Sequence, residues 1–319
     1  MVQSLSRAGR CAGVRTILVV LLLLAAAGGL SAQEQAVAST AGGRPAWLLL
    51  EQGKQAFHDR NFGTALALFR QSIAAGGETP EADVWIGRVF EEEGELALAV
   101  DQYNRALALK QQFVVREDAL AVRYALANIY FETNQYGKYE VALREIVAED
   151  KYFSNQDLGG MRDAMLRILR SGGFDRLMLL YRLTDLRTLE AHSELGAFMY
   201  RTGRYRDATL NLAFSTITDF TTAIEELRRI DPDFEFASIQ DLLSRSLKDP
   251  RLAAYFASVH LYRDLYYLAA SLYANGIAGR AREIWALDVD HAPKESPWRQ
   301  RSLVQSRNPF IEPILDIGQ

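Results

Sequence analysis

Residues 61–73, NFGTALALFRQSI, and residues 95–107, ELALAVDQYNRAL, echo one another 34 residues apart. Phe62 pairs in this way with Leu96, Ala65 with Ala99 and Phe69 with Tyr103, and Gly53 upstream pairs with Gly87. Each stretch reads as an amphipathic helix, with apolar residues at i, i+3, i+4 and i+7. A fixed period of this length restricts the chain to stacked helix–turn–helix units. A single unit of that size cannot bury its own apolar stripe, so several must pack in series.

The residue types at these positions resemble the tetratricopeptide repeat family. Its helix A carries a small residue at position 8, a turn follows near 15, and a large residue sits at 17. Helix B has a small residue at 20, an aromatic at 24 and a small one at 27. A first unit starting at Ala46 places Gly53, Phe62, Ala65, Phe69 and Ser72 on this pattern. A second, starting at Pro80, places Gly87, Gly94, Leu96, Ala99, Tyr103 and Ala106. A third, from near Leu120, supplies Ala127, Tyr136, Leu143 and Ile146, with Tyr139 where the small position-20 residue belongs. It begins late, which predicts a longer second helix B or a longer turn after it.

Residues 171–181, SGGFDRLMLLY, read as a degenerate turn and helix B with Phe174 and Tyr181 on pattern. Residues 195–215 fit better through Gly196, Gly203, Tyr205, Ala208 and Ser215, and residues 268–293 close the series with Ala269, Gly276, Ala281, Trp285 and Pro293. Between them, residues 216–231 extend the preceding helix or start another ending before Pro232, and FASIQDLLSRSLKDP reads as a further helix stopped at Asp249-Pro250. The expected fold is all-α, a helix–turn–helix repeat solenoid. Residues 45–150 form an N-terminal array of about three units, 151–293 the degenerate and C-terminal units, and 294–319 an extended tail docking through Trp298, Phe310 and Ile314.

Ahead of this lie Arg7, Arg10 and Arg15, then an apolar run over residues 17–27 and the small-residue stretch GGLSAQ. This is the layout of a signal peptide over residues 1–32, with a flexible leader over 33–44. Export to a bacterial periplasm, or secretion, is expected, without a stable membrane span after cleavage; an uncleaved signal would instead anchor the protein to the membrane. The single cysteine, Cys11, precedes the apolar run, so the exported chain would hold no disulfide, thiolate metal site or Cys nucleophile. The formal net charge of −4 becomes more negative with the loss of the three arginines, which disfavours general nucleic-acid binding.

Nothing in the sequence carries catalytic chemistry. His58, His192, His260 and His291 fall on different units, and DVDH at residues 288–291 coincides with the end of a repeat. No G-x-S-x-G, Walker A or G-x-G-x-x-G motif occurs. A non-enzymatic protein without cofactor or metal is expected.

The resemblance implies that positions 2, 5, 9, 12 and 13 of helix A line a concave groove. Position 9 then presents Lys54, Arg88 and Asn128, position 5 presents Leu50, Val84 and Tyr124, and position 12 presents Phe57, Glu91 and Phe131. Members of the family that clamp a carboxylate also carry Lys or Asn at position 5, and Leu50 and Val84 depart from that. In the Tyr-rich stretch LYRDLYYLAASLY, Tyr266 and Tyr273 take positions 5 and 12. Lys54, Phe57, Arg88, Tyr124, Asn128, Phe131, Tyr266 and Tyr273 are therefore the candidate contacts for a protein or peptide partner. The expected function is a periplasmic scaffold in an envelope assembly complex. The alternative is an oligomeric repeat component of a periplasmic solute-uptake system, with a cavity lined by the Tyr-rich helix; a homo-oligomer is compatible with either.

Overall fold

Five times along the chain the same three-point register recurs. A small residue (Gly53, Gly87, Ala127, Gly196, Ala269) is followed seven positions on by a left-handed residue (Arg60, Gly94, Asn134, Gly203, Gly276). Sixteen positions on comes a large buried one (Phe69, Tyr103, Leu143, Leu212, Trp285). The computed structural model, which describes residues 43–150, 158–180 and 186–315, shows what this register builds. Residues 1–32 and most of the leader lie outside the described residues, as does Tyr181.

Among the described residues there are fourteen α-helices and no strand. They are α1 Ala46–His58, α2 Phe62–Gly76, α3 Pro80–Glu92, α4 Leu96–Ala108, α5 Asp118–Glu132, α6 Tyr136–Val147 and α7 Leu158–Gly172. Then follow α8 Leu189–Arg201, α9 Tyr205–Ile230, α10 Ile239–Ser246, α11 Pro250–Ser258, α12 Leu261–Ala274, α13 Ala278–His291 and α14 Pro297–Arg307. The helices α1/α2, α3/α4, α5/α6, α8/α9 and α12/α13 pack as hairpins, and each of the first three hairpins leans on the next.

The left-handed residue makes the same turn in each hairpin. Its N–H reaches back three residues and the next N–H reaches back five, as in Gly94 to Glu91 O (3.1 Å) and Glu95 to Phe90 O (2.8 Å). This pairs the orphan carbonyls of the first helix and reverses the chain at once. Arg60 and Asn134 hold this conformation (φ 60° and 58°) without being glycine. The small residue then lets the second helix lie close. A Cβ on Gly87 would stand 2.7 Å from the Tyr103 ring, and one on Gly196 would stand 2.6 Å from Leu212 Cγ.

Other departures from the sequence pattern have local causes. The delay before the third hairpin is filled by a 3-10 turn, Lys110–Gln112, ending at buried Phe113. At position 20 of that hairpin Tyr139 is buried, and its hydroxyl donates to Glu194 on α8 (3.1 Å). The expected helix B after Gly173 is instead a 3-10 helix, Asp175–Leu180; Phe174 and Leu177, three apart, both bury on one side of it. α9 runs unbroken for 26 residues because no Gly or Pro interrupts it before Pro232. Its buried Thr209, Thr216 and Thr218 donate to carbonyls four residues back, so they cost no unsatisfied hydroxyl. Asp249-Pro250 ends one helix as expected but also starts another. Asp249 caps α11 by accepting from Arg251 N (2.9 Å), and Pro250 takes the first helical position.

The tail is not extended throughout. Residues 297–307 form α14, started by Pro297, and among the described residues of the tail 294–296 and 308–315 run without helix.

Gly87→Val is expected to lower stability by about 1–3 kcal/mol, since the added atoms overpack Tyr103. Gly63→Ala, whose Cβ meets nothing within 4 Å, should be neutral or stabilise by up to about 1 kcal/mol. Thermal melts of the two variants check the contrast.

Candidate functional site

The eight candidate residues fall into three groups. The first surrounds Trp85, which lies one helical turn before Arg88 on α3. Arg88 places its guanidinium carbon 4.5 Å from the indole centroid, and Lys54 Nζ on α1 lies 5.9 Å away. Phe57 packs edge-on to the same ring (5.3 Å, 73°) and touches Phe62 (5.6 Å). Lys54 also pairs with Glu51 (2.6 Å). Two cations over one half-buried indole make a surface that takes both an apolar side chain and an anionic group. Each cation–π contact contributes about 0.5–1 kcal/mol when exposed. Trp85 itself escaped the sequence reading. Its signal was an aromatic three residues before a groove arginine, the spacing of helical neighbours.

The second group lies along α5 and is only partly open. Tyr124 uses its hydroxyl inside the protein: it donates to Arg187 O (2.8 Å) and accepts from Ala191 N (3.1 Å), tying α5 to the start of α8. Asn128 is exposed, and Phe131 is 38% exposed while leaning on Tyr136 and Tyr139.

The third group is covered by the chain itself. Tyr266 is 1% exposed, so it is not the open contact residue expected of it. Its hydroxyl donates to Glu312 (2.6 Å), and Arg301 and Trp298 lie over its ring at 4.4 and 5.6 Å. Arg301 pairs with Glu312 in turn. Tyr273 is half-buried and donates to Pro309 O (3.2 Å). The Gln305 side chain clamps the backbone of Phe310, donating to its carbonyl (3.1 Å) and accepting from its N–H (2.9 Å). Further along, Glu312 N meets the Tyr200 hydroxyl (3.4 Å) and Leu315 N donates to Arg201 O (2.7 Å). Residues 309–315 thus cross α8 and α12 as an extended strap held by polar contacts. Of the three expected anchors, Trp298 packs against the core, whereas Phe310 and Ile314 are 45% and 60% exposed, and Glu312 and Leu315 hold the strap in their place.

A buried polar centre joins α8, α9 and α12. Ser193 on α8 and Ser215 on α9 donate to the two oxygens of Asp264 on α12 (2.6 and 2.5 Å). Arg263 bridges Asp264 (3.2 Å) and Glu194 (2.5 Å). Burial pushes the Asp264 carboxyl up, against the pull of Arg263 and the two serines. One turn beyond Ser215, Asp219 is fully buried with no hydrogen bond to either oxygen. Desolvation, and then the charge of Asp264, raise its carboxyl well above the usual range. Asp264, sealed from solvent, cross-links α8, α9 and α12 through these bonds. Among the described residues no cluster of three or more His, Cys, Asp or Glu side chains could hold a metal ion, and no helix is long and apolar enough to cross a membrane.

No model of a known protein family matches the chain. An uncharacterized protein of Treponema pallidum (strain Nichols) is 27% identical over 232 residues, covering 70% of this chain and 60% of that protein. An uncharacterized protein of Borreliella burgdorferi is 22% identical over 296 residues, covering 83% of this chain and 90% of that one. The chain thus spans 60% of the length of the first relative and most of the second.

Two predictions follow from this geometry. Because the folded state holds the Asp219 carboxyl above its unfolded value, the contribution of this group to stability is fully present below about pH 4 and is lost as pH rises towards the raised value. Asp219→Asn should lack that contribution, so that its stability rises relative to wild type as pH increases in urea titrations; a gap between the two proteins that does not change with pH contradicts this. Separately, Glu312→Ala removes a bond to a charged group worth about 1.5–3 kcal/mol. Tryptic cleavage after Arg307 should then speed up by about tenfold or more, with the helical circular dichroism unchanged.

Proposed function

We propose that the protein is a non-catalytic scaffold of tetratricopeptide-like units, exported to the periplasm, that holds an extended segment of a partner protein along its helix A faces. Support for the repeat reading comes from the five hairpins in one register, with small, left-handed and large residues at fixed offsets. The observation that carries the functional reading is the strap. Residues 309–315 lie as a peptide would across α8 and α12, and Tyr266 and Tyr273, at positions 5 and 12, bond to it. The equivalent face of the first hairpins carries Lys54, Phe57, Trp85 and Arg88 with no such cover among the described residues. A partner there would place an acidic or carboxylate group between the two cations and an apolar side chain against Phe57 and Trp85. A charge-assisted hydrogen bond adds roughly 1.5–3 kcal/mol, while micromolar affinity needs about 8 kcal/mol, so aromatic burial must supply much of the remainder.

A role in an envelope assembly complex fits the export signal and the absence of catalytic motifs. The solute-uptake reading draws on the Tyr-rich helix α12. Tyr262, Tyr266 and Tyr267 there are buried against neighbouring helices and the strap, which favours the peptide reading.

The test is crosslinking of tagged protein in its native cells, beside Lys54→Glu, Arg88→Glu. The double variant should fold normally and lose at least tenfold of the captured envelope partner. Unchanged capture would rule out the N-terminal face. Recovery of transporter components, or of the protein alone, would favour the uptake or homo-oligomer reading.

A further inference from the structure

An arginine-lined cleft on another part of the surface is used by none of the contacts described so far. It is bounded by Asp163, Leu166, Arg167 and Arg170 of α7, by Arg206 in the first turn of α9, and by Asn275 at the end of α12. Its volume is about 420 Å³, within the range of small-molecule sites. The four α7 residues stand at i, i+3, i+4 and i+7, so they form one stripe facing the cleft. Leu166 is buried and makes an apolar floor. Asn275 is held in place by donating to Thr209 Oγ1 (3.2 Å) and Ser271 O (2.9 Å).

The charges are unbalanced. Asp163 is already engaged by Arg206 (2.7 Å) and by Arg162 (3.5 Å). Arg167 and Arg170 are exposed and have no carboxylate partner among the described residues, in a protein whose formal net charge is −4. Like charges three apart on a helix repel, and the guanidinium of Arg206 comes in from the neighbouring helix. Such an arrangement is relieved by an anion able to accept from several guanidinium forks at once. Arginine matches phosphate and carboxylate oxygens in pairs.

We propose that this cleft is a binding site for a compact polyanion, a small molecule bearing two or more phosphate or carboxylate groups. Arg167 and Arg170 grip it, Arg206 contributes from α9, and Leu166 floors the site. The site is independent of the Lys54–Arg88 face.

The experiment is calorimetric titration of the purified full chain with pyrophosphate and with citrate, against sodium chloride at matched ionic strength. Saturable binding of at least one polyanion is expected, with a rise in melting temperature that follows occupancy. Arg167→Gln, Arg170→Gln should weaken it at least tenfold, whereas Arg167→Lys, Arg170→Lys, which keeps charge and loses the forks, should weaken it less. Lys54→Glu, Arg88→Glu should bind the anion normally, which separates this site from partner capture. Preference for pyrophosphate would mark a phosphorylated ligand, and preference for citrate a polycarboxylate. Absence of saturable binding to either probe, or equal binding by the glutamine double variant with native circular dichroism, would overturn the proposal.

Discussion

The contact on which the structure depends is the one between a small residue on the first helix of each hairpin and a large residue sixteen positions later on the second. Gly53 against Phe69, Gly87 against Tyr103 and Gly196 against Leu212 leave no room for a side chain at the small position. This approach presses the helices together until the large residue is at most 1% exposed, from Phe69 to Trp285. The small residues at position 20 disappear into the same seam: Ala65, Ala99, Ala208 and Ala281 are fully buried. Close-packed interiors tolerate few voids, so one hairpin's register dictates the surface offered to the next. The left-handed turn serves this contact by reversing the chain within two residues.

How much of this could be read from the residues depended on whether local chemistry dominates. The hairpins with glycine at both the seam and the turn were legible, because few other residues suit those backbone positions. The third hairpin was harder. It turns on Asn134 and fills position 20 with Tyr139, a substitution that makes sense only once Glu194 of a distant helix is in place to accept its hydroxyl. The 3-10 segment after Gly173 and the helix starting at Pro250 also depend on local capping and packing that the repeat pattern obscures. α14 was hidden because Pro297 reads as a break when it stands at a helix start.

The candidate site was legible in a similarly partial way. Lys54, Phe57 and Arg88 do share one surface, but its centre is Trp85, which lies off the groove positions of the pattern. Tyr124 and Tyr266 sit at the expected positions and spend their hydroxyls on Arg187, Ala191 and Glu312, across sequence separations that no periodicity reports. The charge imbalance at Arg167 and Arg170 could not be seen in advance either. It exists only because Asp163 is drawn to Arg206, 43 residues away.

The apolar core is divided unevenly. Ala65, Phe69, Ile86 and Val89 form a cluster of their own between α2 and α3, while a second, far larger cluster runs from α3 through α13. The larger one is also pinned by Asp264, reached from α8 and α9, and by the strap across α8 and α12. The first hairpin therefore rests its buried apolar residues on one neighbour, α3. Trp85, on α3, packs against Phe57 of α1 and Phe69 of α2, so the two cations over its ring stand at the seam between the first hairpin and the second. A group held between Lys54 and Arg88 would bridge that seam and tie the first hairpin to the second.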